Sequence, residues 1–304
     1  MSILIIKLGA TGDVVRTTPL LRKVDGKVTW VTTAGNALLL QGLKDDLRCI
    51  SWEERERALD TQYDLAINLE DTLNVAHFLH TVRCDEIFGA YADSGDLLRY
   101  TENSKRWFDL SLISSYGRQQ ADQFKYLNRD TYQEMIFSGL GFRFVGDRYL
   151  LPEPIETTLS GDVAIAPEAG HVWPMKNWAY YNELKQQLED QGLVVNVLPF
   201  RSSLLEHLAD IRNHRCLVGG DSLPMHFALG TNTPCVTLFS CTSPWEIYDY
   251  GIQKKIISPR LEEFFYKRGF DRRATTAITV EAVYRGIMSQ LRRVGMTPDH
   301  SIAK

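Results

Sequence analysis

The sequence predicts an α/β protein built as two doubly wound halves, and three observations carry that reading. Short runs rich in Ile, Val and Leu recur between segments of helical spacing, the pattern of parallel strands covered on both faces. The alternation halts at a stretch dense in Pro, Thr, Ser and Gly, "LPEPIETTLSGD" (Leu151 to Asp162), and then starts again. The 304 residues also exceed the roughly 100–200 of a common domain.

In the first half, Ile3 to Leu8 reads as a strand, Val14 to Lys23 as a helix, and Lys27 to Thr32 and Asp64 to Leu69 as further strands. From Trp107 to Gly139 the chain is polar and aromatic at helical spacing. That segment is either a solvated helical face with aromatic anchors or a lid over a bound substrate, using Arg106, Arg118, Lys125 or Arg129. In the second half, strands are expected at Asp162 to Ala166, Leu193 to Leu198, Arg215 to Gly219 and Cys235 to Phe239. Helices are expected at Tyr180 to Gln191, Leu204 to Arg212 and Pro224 to Gly230. Val280 to Arg293 has the spacing of a closing amphipathic helix, and Gly295 to Lys304 that of a mobile polar tail. The predicted domains are therefore 1–155, 156–280 and a closing segment 281–304. Two such halves predict a ligand cleft at the carboxyl ends of their strands.

Composition narrows the function. With 34 Lys+Arg against 38 Asp+Glu the net charge is −4, which argues against nucleic-acid binding by bulk phosphate neutralisation. Five cysteines without CxxC spacing point to neither a zinc site nor a disulfide framework, and fit a reducing cytoplasm. The N-terminus does not read as a signal sequence, and no apolar run approaches the roughly 20 residues of a membrane helix. A soluble or peripheral protein is expected.

Two motifs concentrate the chemistry. "ILIIKLGATGDVVRTTPLLR" (Ile3 to Arg22) joins a strand to a helix through a turn in which Gly9 and Gly12 permit close approach. It has neither a GK[ST] phosphate loop nor GxGxxG. Asp13 falls at or near the helix N-cap, where it either caps the helix or faces a substrate. Pro19 inside the expected helix breaks a local rule at an interior cost of about 3 kcal/mol, unless the helix bends or begins late.

The second motif comes in two pieces. "APEAGHVWPMKNWAYYNEL" leads from a strand through Gly170, His171 and Trp173 to Lys176, which is an ordinary surface lysine or a phosphate partner. "CLVGGDSLPMHFALGTNTPCVTLFSCTSP" runs from a buried strand through Asp221 and Ser222 into a short helix whose first turn admits Pro224. Free N–H groups at Ser222 and Leu223 suit a diphosphate, and His226 sits one turn on, either as a core histidine or as a ligand contact.

These residues resemble the ADP-heptose:lipopolysaccharide heptosyltransferase family, glycosyltransferase family 9. "ILIIKLGATGDVVRTTPLLR" looks like its strand-turn-helix signature, "KNWAYYNEL" like its lysine-tryptophan segment, and "GGDSLPMHFALGTNTPCVTLFSCTSP" like its Asp-Thr/Ser-Gly-Pro-Met-His signature. The resemblance implies a GT-B architecture: two Rossmann-like domains facing a central cleft, the first for the acceptor and the second for the nucleotide sugar, with the last helix packing back on the first. It implies an inverting transfer of heptose from ADP-heptose to a hydroxyl of a sugar acceptor, in lipopolysaccharide core or a related glycan; the alternatives are a transferase of the same fold using another nucleotide sugar or a small-molecule or protein acceptor, and a nucleotide-sugar-binding protein without turnover. Asp13 matches the general base, and Lys176, Asp221, Ser222, Leu223 and His226 the donor loop, with Gly170 and His171 as weaker matches. Gly12, Arg16 and Arg118 are acceptor-side candidates. Leu223 stands where the family usually has glycine. No cofactor is implied, and because the sequence has no DxD triplet, no metal is expected either. The expected location is cytoplasmic, peripheral to the membrane if the acceptor is a glycolipid.

Overall fold

The computed structural model describes residues 1–110, 116–153, 155–170 and 172–296. His171, part of the Trp107 to Gly139 segment and all but the start of the polar tail lie outside the described residues. The chain forms two compact units, Met1–Glu153 with Trp245–Tyr248, and Pro154–Pro244 with Asp249–Lys304.

Unit 1 holds a six-stranded sheet: β1 (Ser2–Ile6), β2 (Lys27–Thr32), β3 (Leu47–Ser51), β4 (Tyr63–Asn68), β5 (Cys84–Ala92) and β6 (Leu98–Tyr100), in the order β3-β2-β1-β4-β5-β6. All neighbours are parallel except β5 and β6. The central strands are buried on both faces: Ile3 and Ile5 of β1 join one core with Val14, Leu20 and Trp30, while Leu4 and Ile6 join another with Val31, Tyr63 and Val75. Two-sided burial is why β1 reads as a continuous apolar run and not as an alternation.

Unit 2 begins with β7 (Gly161–Ala166), β8 (Val195–Val197), β9 (His214–Gly220), β10 (Cys235–Phe239) and β11 (Gln253–Ile257), all parallel, in the order β11-β10-β9-β7-β8. The closing helix Val280–Met296 contacts β9, β10 and β11 of its own unit. Its period of 3.6 puts Val283, Ile287 and Leu291 on one stripe, and all three are buried in the core with Val218, Val236 and Leu238.

The connection after β10 leaves unit 2 for four residues. Trp245–Tyr248 belongs to unit 1, where the Glu246 carbonyl accepts from Tyr132 N at 3.0 Å and Trp245 lies under the Arg129 guanidinium at 3.8 Å. Tyr248 meets Phe144 edge-on at 5.0 Å.

The opening motif corrects two expectations. The helix begins at Thr11 with Ala10 as its N-cap, so Asp13 is the third helical residue and not the N-cap itself. The helix also ends at Thr17; a 3₁₀ turn, Thr18–Arg22, follows, and Pro19 lies in its first turn. There the missing N–H has no partner to lose, so the cost expected of an interior proline does not arise.

Candidate active site

In an open α/β sheet, a crevice forms where successive connections leave from opposite sides. In unit 1 that point lies between β1 and β4; the loops following these strands carry Lys7 and Glu70, and the first turn of the helix after β1 carries Asp13.

Glu70 organises the loop after β1. Its Oε1 accepts from Lys7 Nζ and Leu8 N, both at 2.8 Å, and from Gly9 N at 3.4 Å. On the other flank, Asn36 donates to the Leu8 carbonyl and accepts from Thr11 Oγ1, both at 2.8 Å. The turn before Asp13 is therefore held from two sides by side chains of other elements.

Asp13 Oδ1 is paired with Arg16 Nη2 at 2.9 Å, one helical turn away. The Arg16 guanidinium also lies 3.9 Å from the centroid of the Tyr132 ring. Tyr132 OH shares a 2.8 Å hydrogen bond with Thr17 Oγ1, and Gln133 Nε2 donates to the Arg16 carbonyl at 2.9 Å. Burial opposes the charges on Lys7 and Arg16, but Asp13 and, at Lys7, Glu70 outweigh it and raise both pKa values. Burial likewise raises the Tyr132 phenol. Arg16 thus pairs directly with the Asp13 carboxylate, which remains one-third exposed, and Lys7 lies within electrostatic reach of it.

Unit 2 repeats the logic between β7 and β9. The loop after β7 carries Lys176, the loop after β9 carries Asp221, and they meet: Lys176 Nζ donates to the Asp221 carbonyl at 2.6 Å and to its Oδ2 at 3.2 Å. Lys176 is only 9% exposed. Gly220 eases the approach, because a Cβ there would stand a tight 3.2 Å from the Lys176 carbonyl oxygen. Ser222 is the N-cap of the helix Leu223–Gly230, yet its hydroxyl caps nothing. Ser222 Oγ, Ser240 Oγ, Thr242 Oγ1 and Ser243 Oγ are all buried, with no hydrogen-bond partner among the described residues. Unmet buried hydroxyls carry a desolvation cost of about 1–3 kcal/mol each, and these four lie on the loops after β9 and β10.

Of the other expected residues, His226 is buried in the helix Leu223–Gly230, Leu223 is its first residue, and Gly170 is exposed with no heavy atom within 4 Å of a Cβ placed on it. Gly12 lies inside the first helix, not in the turn before it. Arg118 is the exposed first residue of the helix Arg118–Leu127, and no ion pair ties it to Asp13 or Arg16 among the described residues. Three of the four basic residues considered for a lid have partners within unit 1: Arg106 pairs with Asp130, Lys125 lies 3.8 Å from Glu246, and Arg129 covers Trp245. Sequence reasoning missed Glu70, Asn36 and Tyr132, and also Lys255, which donates to the Pro244 carbonyl at 2.7 Å and holds the end of the Ser240–Pro244 loop. Burial lowers the Lys255 pKa. None of these four belongs to a local motif, although Glu70 could have been noted as a carboxylate directly after a buried strand.

Residues 173–268 match the profile of glycosyltransferase family 9 (heptosyltransferase), the segment that contains Lys176, Asp221 and His226. A comparison with curated proteins finds no match. Among solved structures, the chain is similar to the Escherichia coli heptosyltransferase WaaC with ADP, at 16% identity and a TM-score of 0.65, over 95% of this chain and all of that one. It is also similar to a family 9 glycosyl transferase from Veillonella parvula, at 15% identity and a TM-score of 0.64, over 96% of this chain and 97% of the other. E. coli ADP-heptose lps heptosyltransferase II aligns over 97% of this chain and all of its own, at 15% identity and a TM-score of 0.57. The chain thus has the GT-B fold of these proteins, and its resemblance to glycosyltransferase family 9 rests on a direct family match across the Lys176–Asp221 site.

Proposed function

We propose that this protein is an inverting glycosyltransferase that moves a heptose from ADP-heptose to a hydroxyl of a glycan or glycolipid acceptor. The observation that carries the reading is the Lys176–Asp221 pair at the β7/β9 switch point, inside the family-matched segment and beside four buried hydroxyls without partners among the described residues. A diphosphate fits that setting: a cation held low in the loop, N–H groups at a helix start, and hydroxyl donors in need of acceptors.

In this reading Asp13 accepts the proton of the attacking acceptor hydroxyl as that oxygen bonds to the anomeric carbon. The bond to the diphosphate breaks at the same time, and its electron pair leaves with ADP. Lys176 and the N-terminus of the helix Leu223–Gly230 stabilise the charge that gathers on the departing phosphate. Asp221 holds Lys176 in place until the donor arrives. The protein's own cations serve the leaving group, so turnover should survive chelation of divalent ions. Arg16 and Gly12 stand on the acceptor side, and a glycolipid acceptor would bring the protein to the cytoplasmic face of a membrane. Among the described residues, no helix is long and apolar enough to cross one.

The deciding experiment is calorimetric titration with ADP, UDP, GDP and ADP-heptose. Selective binding of ADP and its heptose conjugate supports the reading. Selective binding of another nucleotide would retain the transferase class and replace the donor; no nucleotide binding would remove the proposal.

A further inference from the structure

We infer that the turn Lys267–Arg273 is a membrane-docking element that binds the anionic surface of a lipid bilayer. From Lys254 to Arg273 the sequence has seven basic residues against three acidic ones, in a chain whose net charge is −4. The acids are accounted for locally: Glu263 pairs with Arg260 and Arg273, Asp271 pairs with Arg273 and caps the helix Arg272–Thr275, and Glu262 is exposed on the short helix Leu261–Phe264. Lys267, Arg268 and Arg272 are exposed and form no ion pair among the described residues.

At the tip of the same turn Phe270 is 67% exposed. The neighbouring Gly269 has φ +90° and no heavy atom within 4 Å of a Cβ placed on it, so the tip stands clear of the protein. The base of the turn is fixed: Tyr266 N donates to the Cys241 carbonyl at 2.8 Å, the Tyr266 ring meets Trp173 edge-on at 5.4 Å, and Arg268 lies 4.2 Å over Trp173. An aromatic side chain held out on a rigid base and ringed by uncompensated cations has the chemistry of a headgroup-level anchor. The ring enters the interface while lysine and arginine meet lipid phosphates. The inference extends the glycolipid-acceptor reading but is tested by lipid binding alone, so it can fail while that reading stands.

The test is sedimentation of the full chain with large vesicles of phosphatidylcholine, with and without an equal share of phosphatidylglycerol. The wild type is expected to bind the anionic vesicles and to be released as salt shortens the screening length to about 3 Å. A basic residue near such a surface is worth roughly fivefold in affinity, so Lys267→Glu with Arg272→Glu should weaken binding by at least about twentyfold. Phe270→Ala should weaken it in a way that salt does not change. Arg292→Glu, on the exposed face of the closing helix, should leave it unchanged. Circular dichroism and ADP titration of each variant separate misfolding and donor effects. A folded wild type that ignores anionic vesicles, or a charge-reversed variant that binds them as well as the wild type, overturns the inference. Normal vesicle binding with weakened ADP binding in that variant would reassign the turn to the donor phosphates.

Discussion

The Arg16 guanidinium stacks on Tyr132 at 3.9 Å, and this contact joins the candidate base to the helix Tyr132–Gly139. Tyr132→Leu removes both the stacking surface and the hydroxyl bonded to Thr17. A loss of about 2–4 kcal/mol is expected for truncating a buried aromatic, against about 1 kcal/mol for Tyr132→Phe, which keeps the ring. Denaturant unfolding measures both, and equal losses would mean that the hydroxyl, and not the ring, supports Arg16.

Asp13→Asn keeps the shape of the first helical turn and removes the proposed proton acceptor. Turnover should fall by roughly 10²–10⁴, with ADP affinity retained, because the proposed donor residues Lys176 and Asp221 lie in unit 2. Near-normal turnover in the folded variant would assign Asp13 to structure alone.

Lys176→Ala should weaken ADP binding by about tenfold or more, the scale of a charge-assisted hydrogen bond to phosphate. The substitution also leaves Asp221 without its ammonium partner, so Asp221→Asn is the companion variant. Should both variants bind ADP as the wild type does, the phosphate site is elsewhere.

Gly89 tests the fold beneath the site. At φ +115° in β5, a Cβ would stand 1.8 Å from the carbonyl oxygen of Asn68, its partner on β4. Gly89→Ala should cost more than about 3 kcal/mol, since backbone on both strands must move. A soluble variant with unchanged melting temperature would contradict the strand geometry.

Lys7 predicts a pH dependence. Its folded pKa is raised, so the folded chain holds this proton more tightly than the unfolded chain does. The stabilisation is complete below the ordinary lysine value of about 10.4 and is lost as pH rises through the folded value. Lys7→Met leaves Glu70 partly buried without its ammonium and should cost about 3 kcal/mol near neutrality. The difference in melting temperature between wild type and variant should narrow above about pH 10. A constant difference across that range would show that Lys7 acts through packing.

The legible parts of the chain were those whose signal is local. Lys27–Thr32, Leu204–Arg212 and Cys235–Phe239 match their expected bounds, because each combines a clear period with turn residues at both ends. The strands Leu47–Ser51, Cys84–Ala92 and Gln253–Ile257 went unread. They carry Arg48, Asp85 with Glu86, and Lys254 with Lys255, and so lack the apolar run expected of a doubly buried strand; all but β5 close an edge of their sheets.

By itself the sequence determined the doubly wound class, the two halves, and the strand-to-helix segments on which Asp13, Lys176 and Asp221 stand, because apolar period and turn chemistry act over a few residues. Tertiary structure alone decided the company those residues keep. Glu70 reaches Lys7 across 63 positions, Tyr132 reaches Thr17 across 115, and Lys176 meets Asp221 across 45. Strand order sets such pairings by bringing distant loops to one switch point, and no local pattern encodes strand order.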